Sequence, residues 1–181
     1  FGRRWSGLVA LLDLDDVVIS VDADATASEA SDFCALHVWG RKGAERYLLD
    51  RIYRQMELPD LLDAFDLLVE RWPQARFKLV ENKSNGTALV SMRRATVPGI
   101  IPVNPKGDKE ARAGWAVASY QAAQVILPGP AEECRSDRGH PLDHGGPWVD
   151  GYVDNMVGFL AGAAHDDDVD ATSQAFEHWA K

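Results

Sequence analysis

The sequence predicts a mixed α/β fold, in which three antiparallel strands and further parallel strands form one sheet flanked by helices. Three observations carry this. Val17–Val21, the run VVISV, is apolar except for Ser20 and rich in Val, the mark of a buried strand. Two further apolar runs, Phe33–Trp39 and Arg46–Tyr53, are separated by a Gly-bearing turn, which indicates a hairpin. Beyond them, segments of helical spacing alternate with short apolar runs.

Taken in order, residues 1–16 read as a leading segment and Val17–Asp22 as the first strand. Ala25–Ser31 is small and polar, hence a loop closed by Asp32. Phe33–Trp39, a turn at Gly40–Gly43 and Arg46–Tyr53 complete a three-strand meander. Leu61, Leu62, Phe65, Leu68, Val69 and Trp72 recur at helical spacing between Asp and Glu. Pro59 sits near the start of that helix and Pro73 beyond its end. Phe77–Glu81 is a second short strand that ends on an acid. Asn82–Gly86 reads as a turn, Gly86–Ala95 as a helix with Arg93 and Arg94 near its C-terminus, and Gly99–Val103 as a strand. A loop over Pro105–Asp108 leads to a helix over Lys109–Gln124 and a short strand at Val125–Leu127. Residues 128–147, rich in Pro, Gly and charge, form a surface excursion. Trp148–Phe159 and Asp166–Ala180 are the last helices.

A chain of 181 residues is expected to be one domain, 1–181. It begins with Phe rather than Met, which reads as a piece of a longer protein. No apolar run approaches the roughly 20 residues needed to span a bilayer, so no membrane partner is expected. Cys34 and Cys134 suggest neither a disulfide framework nor a thiolate zinc site. Cys34 is expected in the core, in a reducing cytoplasm. The net charge of -9 argues against a nucleic-acid binder. Its distribution softens that objection, because Asp22 and the Asp166–Asp170 run hold five of the 28 acids. Metal ions bound there would neutralise them.

Asp22, Glu81 and the pair Asp166–Asp167 come from three separate places in the chain. Each alone has a bland reading: a strand-end Asp forms turns, and an Asp at a helix start caps it. Together they suit hard divalent cations, which prefer carboxylate oxygen. Two such ions roughly 3.5–4 Å apart can hold one phosphate between them. His165 could orient water, ligate metal or cap the helix, and Asp168 and Asp170 are expected to include solvent-facing acids. Gly86 would let the backbone approach a phosphate, and Lys83 would contact it. Lys106, Lys109 and Arg112 form the best phosphate-contact stripe, unless they are simply a solvated face.

VISVDADATASEASDF, VWGRKGAERYLLDRI, LVENKSNGTALV, VPGIIPVNPKGDKEARA and AHDDDVDATSQAFEHW, in that order, resemble the nuclease domain of a phage terminase large subunit. The resemblance implies a ribonuclease H-like fold and cutting of concatemeric viral double-stranded DNA, with two Mg²⁺ or Mn²⁺ ions, during genome packaging. It implies Asp22, Glu81, Asp166 and Asp167 as catalytic, with Asp22, Glu81 and Asp167 as metal ligands. Asp32 and His165 would be accessory, and Lys83, Lys106, Lys109 and Arg112 would bind DNA. It further implies an ATPase domain in the full protein, a small terminase subunit and a portal as partners, and the cytoplasm of an infected bacterial host. The chain has no G-x-x-x-x-G-K-[ST] loop, so it would not power translocation by itself.

Two rival readings stand beside this one. Asp22-Ala23-Asp24-Ala25-Thr26 has the D-x-D-x-T shape of haloacid dehalogenase-like phosphatases, although a helix should then follow the first strand. Alternatively, the chain could be a non-catalytic portal or DNA docking module.

Overall fold

The computed structural model describes residues 4–5, 7–9, 13–23, 33–104, 109–129, 134–136, 147–160 and 166–180. Nine strands and five helices occur among them. They are β1 (Arg4–Trp5), β2 (Gly7–Val9), β3 (Asp16–Asp22), β4 (Phe33–Lys42), β5 (Glu45–Gln55), α1 (Leu58–Arg71), β6 (Phe77–Glu81), α2 (Ser84–Arg93), β7 (Ile100–Val103), α3 (Lys109–Gln121), β8 (Val125–Pro128), β9 (Cys134–Ser136), α4 (Pro147–Leu160) and α5 (Asp167–Trp179). Seven strands form one sheet in the order β1-β8-β5-β4-β3-β6-β7, while β2 and β9 pair in parallel on their own. β3, β4 and β5 are antiparallel neighbours; the pairs β3–β6, β6–β7, β5–β8 and β1–β8 are parallel. The expected mixed sheet, with its three-strand meander, is therefore present.

β3 lies in the middle with helices over both faces, which explains its unbroken apolar run. Val17, Ile19 and Val21 point to one side, where α1 supplies Leu61, Phe65 and Leu68. Val18 points to the other, into a cluster with Trp39, Leu79, Tyr152 and Phe176. On that second face Ser20 and Asp22 follow Val18, because alternate strand residues share a side. Cys34 is buried, forms no disulfide among the described residues and points its thiol at the Met56 carbonyl at 4.0 Å, as expected of a small core residue.

The hairpin turn is tighter than the sequence suggests. Gly40 lies within β4 and pairs with Tyr47, and the ladder continues through Arg41–Arg46 and Lys42–Glu45. Only Gly43 and Ala44 turn the chain, with Gly43 at φ 55°. Gly40 instead lies close beneath the tip of the Leu14 side chain, which a Cβ would meet at 2.7 Å and displace. Midway along β5, buried Asp50 accepts bonds from Trp72 Nε1 at 2.8 Å and Arg71 Nη1 at 3.0 Å, which fixes the end of α1.

α2 starts at Ser84, two residues before the expected start. Gly86 serves this helix: a Cβ there would lie 2.1 Å from the Glu81 carbonyl oxygen, so only glycine lets α2 close onto the end of β6. The backbone approach expected for a phosphate is made by the chain itself. Of the excursion over 128–147, residues 134–136 form β9 and most of the rest lies outside the described residues. The loop expected over Pro105–Asp108 also lies outside them.

Candidate functional site

β3 and β6 run side by side in the same direction, with Val21 registered on Val80. Each strand therefore delivers its terminal acid to the same end of the sheet, Asp22 from one and Glu81 from the other. Both carboxylates are 4% exposed. α5 crosses this end and adds Asp170, which is half-buried. One carboxylate oxygen from each of Asp22, Glu81 and Asp170 lies within 4.8 Å of the other two. Asp22 Oδ1 is buried without a hydrogen-bond donor among the described residues. Burial, then the Glu81 carboxylate beside it, then the charges of Asp170 and Asp167, push the Asp22 carboxyl well above the usual range.

Helical spacing explains which acids of α5 reach this point. Asp167 and Asp170 are three residues apart and share a face, and Gln174 continues it four residues on. Gln174 Nε2 donates to Ser20 Oγ and to the Leu79 carbonyl, both at 3.0 Å, and Ser20 Oγ donates to the Ala171 carbonyl at 2.6 Å. α5 is thus tied to both strands that end in acid. Asp167 stands outside the three-carboxylate group but acts on Asp22 through charge, and its Oδ2 accepts from the Tyr53 hydroxyl at 3.5 Å. Burial, followed by the charges of Asp167 and Asp168, raises the Tyr53 phenol above its ordinary value.

Asp168 faces away from that stripe and is 1% exposed. Arg51 grips it with two bonds, Nε to Oδ1 at 2.9 Å and Nη2 to Oδ2 at 2.6 Å. His37 Nε2 lies 2.8 Å from Oδ1, and Asn155 Nδ2 donates to Oδ2 at 2.7 Å. Burial alone would raise this carboxyl, but the hydrogen bonds from His37 and Arg51 outweigh it and hold Asp168 down at about 2. Burial lowers the His37 imidazole, and the Asp168 carboxylate only partly offsets it. His37 Nδ1 has no partner, which suits a neutral ring donating from Nε2.

Among the acids expected from sequence, the fold brings Asp22 and Glu81 together with Asp167 nearby. Asp166 is the N-cap residue of α5, where its carbonyl accepts the Asp170 N–H at 2.9 Å. Lys83 Nζ lies 2.6 Å from Glu81 Oε1, an ion pair without the alignment of a hydrogen bond. Asp32, His165 and Lys106 lie outside the described residues, and Lys109 and Arg112 are described only as backbone of α3. The expectation that Asp168 and Asp170 include solvent-facing acids is corrected for Asp168, which is buried against its cationic partner, while Asp170 is only partly buried. Sequence reasoning misses Asp170 as a site residue; its signal is the three-residue spacing from Asp167. The helix expected of a phosphatase after the first strand is likewise absent among the described residues, because β4 is the next described element and pairs antiparallel with β3.

The structure resembles that of the large terminase nuclease from thermophilic phage G20c with bound zinc, with a TM-score of 0.62 at 16% identity over 98% of this chain and 88% of that one. It is similar to the human cytomegalovirus terminase nuclease domain, Mn soaked, with a TM-score of 0.63 at 10% identity over 98% of this chain and 90% of the other. The large terminase of another thermophilic bacteriophage matches with a TM-score of 0.61 at 10% identity; the match takes in 95% of this chain but 42% of that longer one. At these identities the likeness establishes the fold, a ribonuclease H-like mixed sheet. No curated protein sequence matches significantly. The model of the terminase RNase H-like domain matches residues 19–178, a span that holds β6, all but the start of β3 and all but the last residue of α5, with their acids from Asp22 on, and the chain belongs to that family.

Proposed function

We propose that the chain is a metal-dependent endonuclease that cuts concatemeric double-stranded viral DNA during genome packaging, by two-metal-ion hydrolysis of phosphodiester bonds. One observation carries this reading above all. Three carboxylates are gathered at two strand ends and a helix, two of them buried, and Asp22 Oδ1 has no donor. Buried acids without donors are costly in a folded protein unless a cation completes them.

The donor set fits a hard divalent ion, being all carboxylate oxygen, with Lys83 beside Glu81. Mg²⁺ or Mn²⁺ is proposed, held by Asp22, Glu81 and Asp170 with Asp167 beside them, and Asp166 adds charge at the same helix end. When bound, such ions supply positive charge at phosphate oxygens and lower the pKa of water. The chain's own part is to hold its ligands still. Asp22 and Glu81 stand on paired strands and α5 is bonded to both, so little reorganisation accompanies the reaction. Lys83, half-exposed beside Glu81, is proposed to meet a phosphate, and Lys106, Lys109 and Arg112 to extend that contact. Asp32 and His165 are proposed as accessory groups.

The phage and cytomegalovirus nuclease structures, which carry zinc or were soaked in manganese, support the use of a divalent metal. An ATPase domain, a small terminase subunit and a portal are proposed partners of the full protein, in the cytoplasm of the bacterial host. No helix among the described residues is long and apolar enough to cross a membrane.

Incubation of supercoiled plasmid with the protein and Mn²⁺ or Mg²⁺ should yield nicked and linear DNA, and chelation should stop it. Asp22→Ala should fold and lose plasmid cutting by about 10²–10³-fold, the range for removing one group of a charge-stabilising site. Plasmid left intact by wild type at every metal concentration would instead mark a docking module. Cutting retained by Asp22→Ala would overturn the assignment of the site.

A further inference from the structure

We infer that Arg51 is a positioning residue for the metal ligands, acting through Asp168. Arg51 is 117 residues from Asp168 in sequence and belongs to a different element. Its side chain is 5% exposed. Both donors on one edge of the guanidinium are engaged by Asp168, Nη1 donates to the Trp148 carbonyl at 3.2 Å, and the carbon between them lies 4.5 Å from the Tyr53 ring centre. A planar fork held on three sides has one orientation, and so does the carboxylate it grips.

The consequence follows from helix geometry. Asp168 lies between Asp167 and Asp170 on the first turn of α5. Successive side chains are about 100° apart around the axis, so fixing the azimuth of Asp168 on the β5 side fixes that of its neighbours. Asp167 and Asp170 are then directed at the ends of β3 and β6. Asn155 and His37 complete the grip on Asp168, so neither of its oxygens is left over for a metal. The third acid in the DDD run is the anchor by which its neighbours are aimed. Gln174 secures the same helix two turns on, leaving Arg51 to set the rotation of the first turn.

This inference rests on the proposed metal site, and the two can fail separately. Mn²⁺ binding to the protein is measured by electron paramagnetic resonance of the free ion, without DNA, alongside the Mn²⁺ dependence of plasmid nicking. Arg51→Lys keeps the charge but loses the fork. It should weaken Mn²⁺ binding about 10-fold or more, the range seen when a group that orients a metal ligand is removed. At saturating Mn²⁺ its nicking rate should return to within about 3-fold of wild type, a split that general loss of folded protein would not give. Asn155→Ala removes one bond from a half-buried residue and should weaken binding by a smaller factor, about 3-fold; it decides the matter should Arg51→Lys fail to fold. Unchanged Mn²⁺ affinity in the folded variants overturns the inference while leaving the metal site standing. Wild-type protein that binds no Mn²⁺ overturns the metal site itself.

Discussion

Two acidic centres lie within one turn of α5, and they are built in opposite ways. Asp168 has four hydrogen-bonding contacts, two of them from a guanidinium, and its carboxyl is held at about 2. Asp22 is nearly as deeply buried, yet one of its oxygens has no donor and its neighbours are other carboxylates, so its carboxyl is pushed upward. Burial is common to both, so burial is not what separates them. The supply of cations is: among the described residues Arg51 serves Asp168, and the groups acting on Asp22 are carboxylates. The first acid is arranged to contribute to stability, and the second is arranged as the proposed metal site requires.

The sharpest way to break this comparison is to remove each acid in turn. Asp168→Ala strands a buried guanidinium, and loss of one partner from such a pair costs about 3–5 kcal/mol. For a domain of this size that corresponds to a fall in thermal midpoint of roughly 10 °C or more. Asp22→Asn, which removes a charge from a repelling cluster, should show no such fall in metal-free buffer. Equal losses in the two variants, read by circular dichroism melts, would erase the distinction.

A smaller effect is expected from metal. A ligand that binds only the folded state at 100 times its dissociation constant adds about 2.7 kcal/mol. Mn²⁺ should therefore raise the melting midpoint of the wild-type protein by several degrees, and Asp168→Ala, where it folds, should retain part of that rise. Asp22→Asn should lose it. A wild-type midpoint that does not move with Mn²⁺ would mean that the carboxylates at the strand ends are not waiting for a cation.

Much of this difference is legible in the sequence, and the reasons for the rest are physical. Phe77–Glu81 reads correctly to the residue and Val17–Asp22 to within one, because a short apolar run ending on an acid admits few other structures. The convergence of Asp22 and Glu81 follows from parallel pairing of two such strands. The hairpin turn is misplaced at Gly40 because glycine there answers to the Leu14 side chain, a tertiary contact with no local signature. In HDDDVD, adjacency draws attention to the first two aspartates, whereas a helix brings together residues three apart, and Asp170 is passed over. The fate of Asp168 depends on Arg51, a residue from a distant strand, and no reading of α5 by itself can supply it.

The subtlest expected effect concerns pH, where the two acids should act with opposite sign. Asp168 has a folded value of about 2, below its unfolded value near 3.9, so its contribution is present above pH 4 and lost as the pH falls toward 2. Asp22 is raised in the fold. Above its unfolded value the unfolded chain gives up this proton more readily than the native one, so Asp22 subtracts stability progressively as the pH rises from about 4 through its folded value. Asparagine cannot make that subtraction. In chelator, Asp22→Asn should thus melt above wild type at pH 8, and the gap should close as the pH is lowered to 4. The test is a set of paired melts from pH 4 to 8. A gap that stays constant across that range would show that Asp22 does not change protonation on folding, and a gap of reversed sign would show that a cation from the chain already serves it.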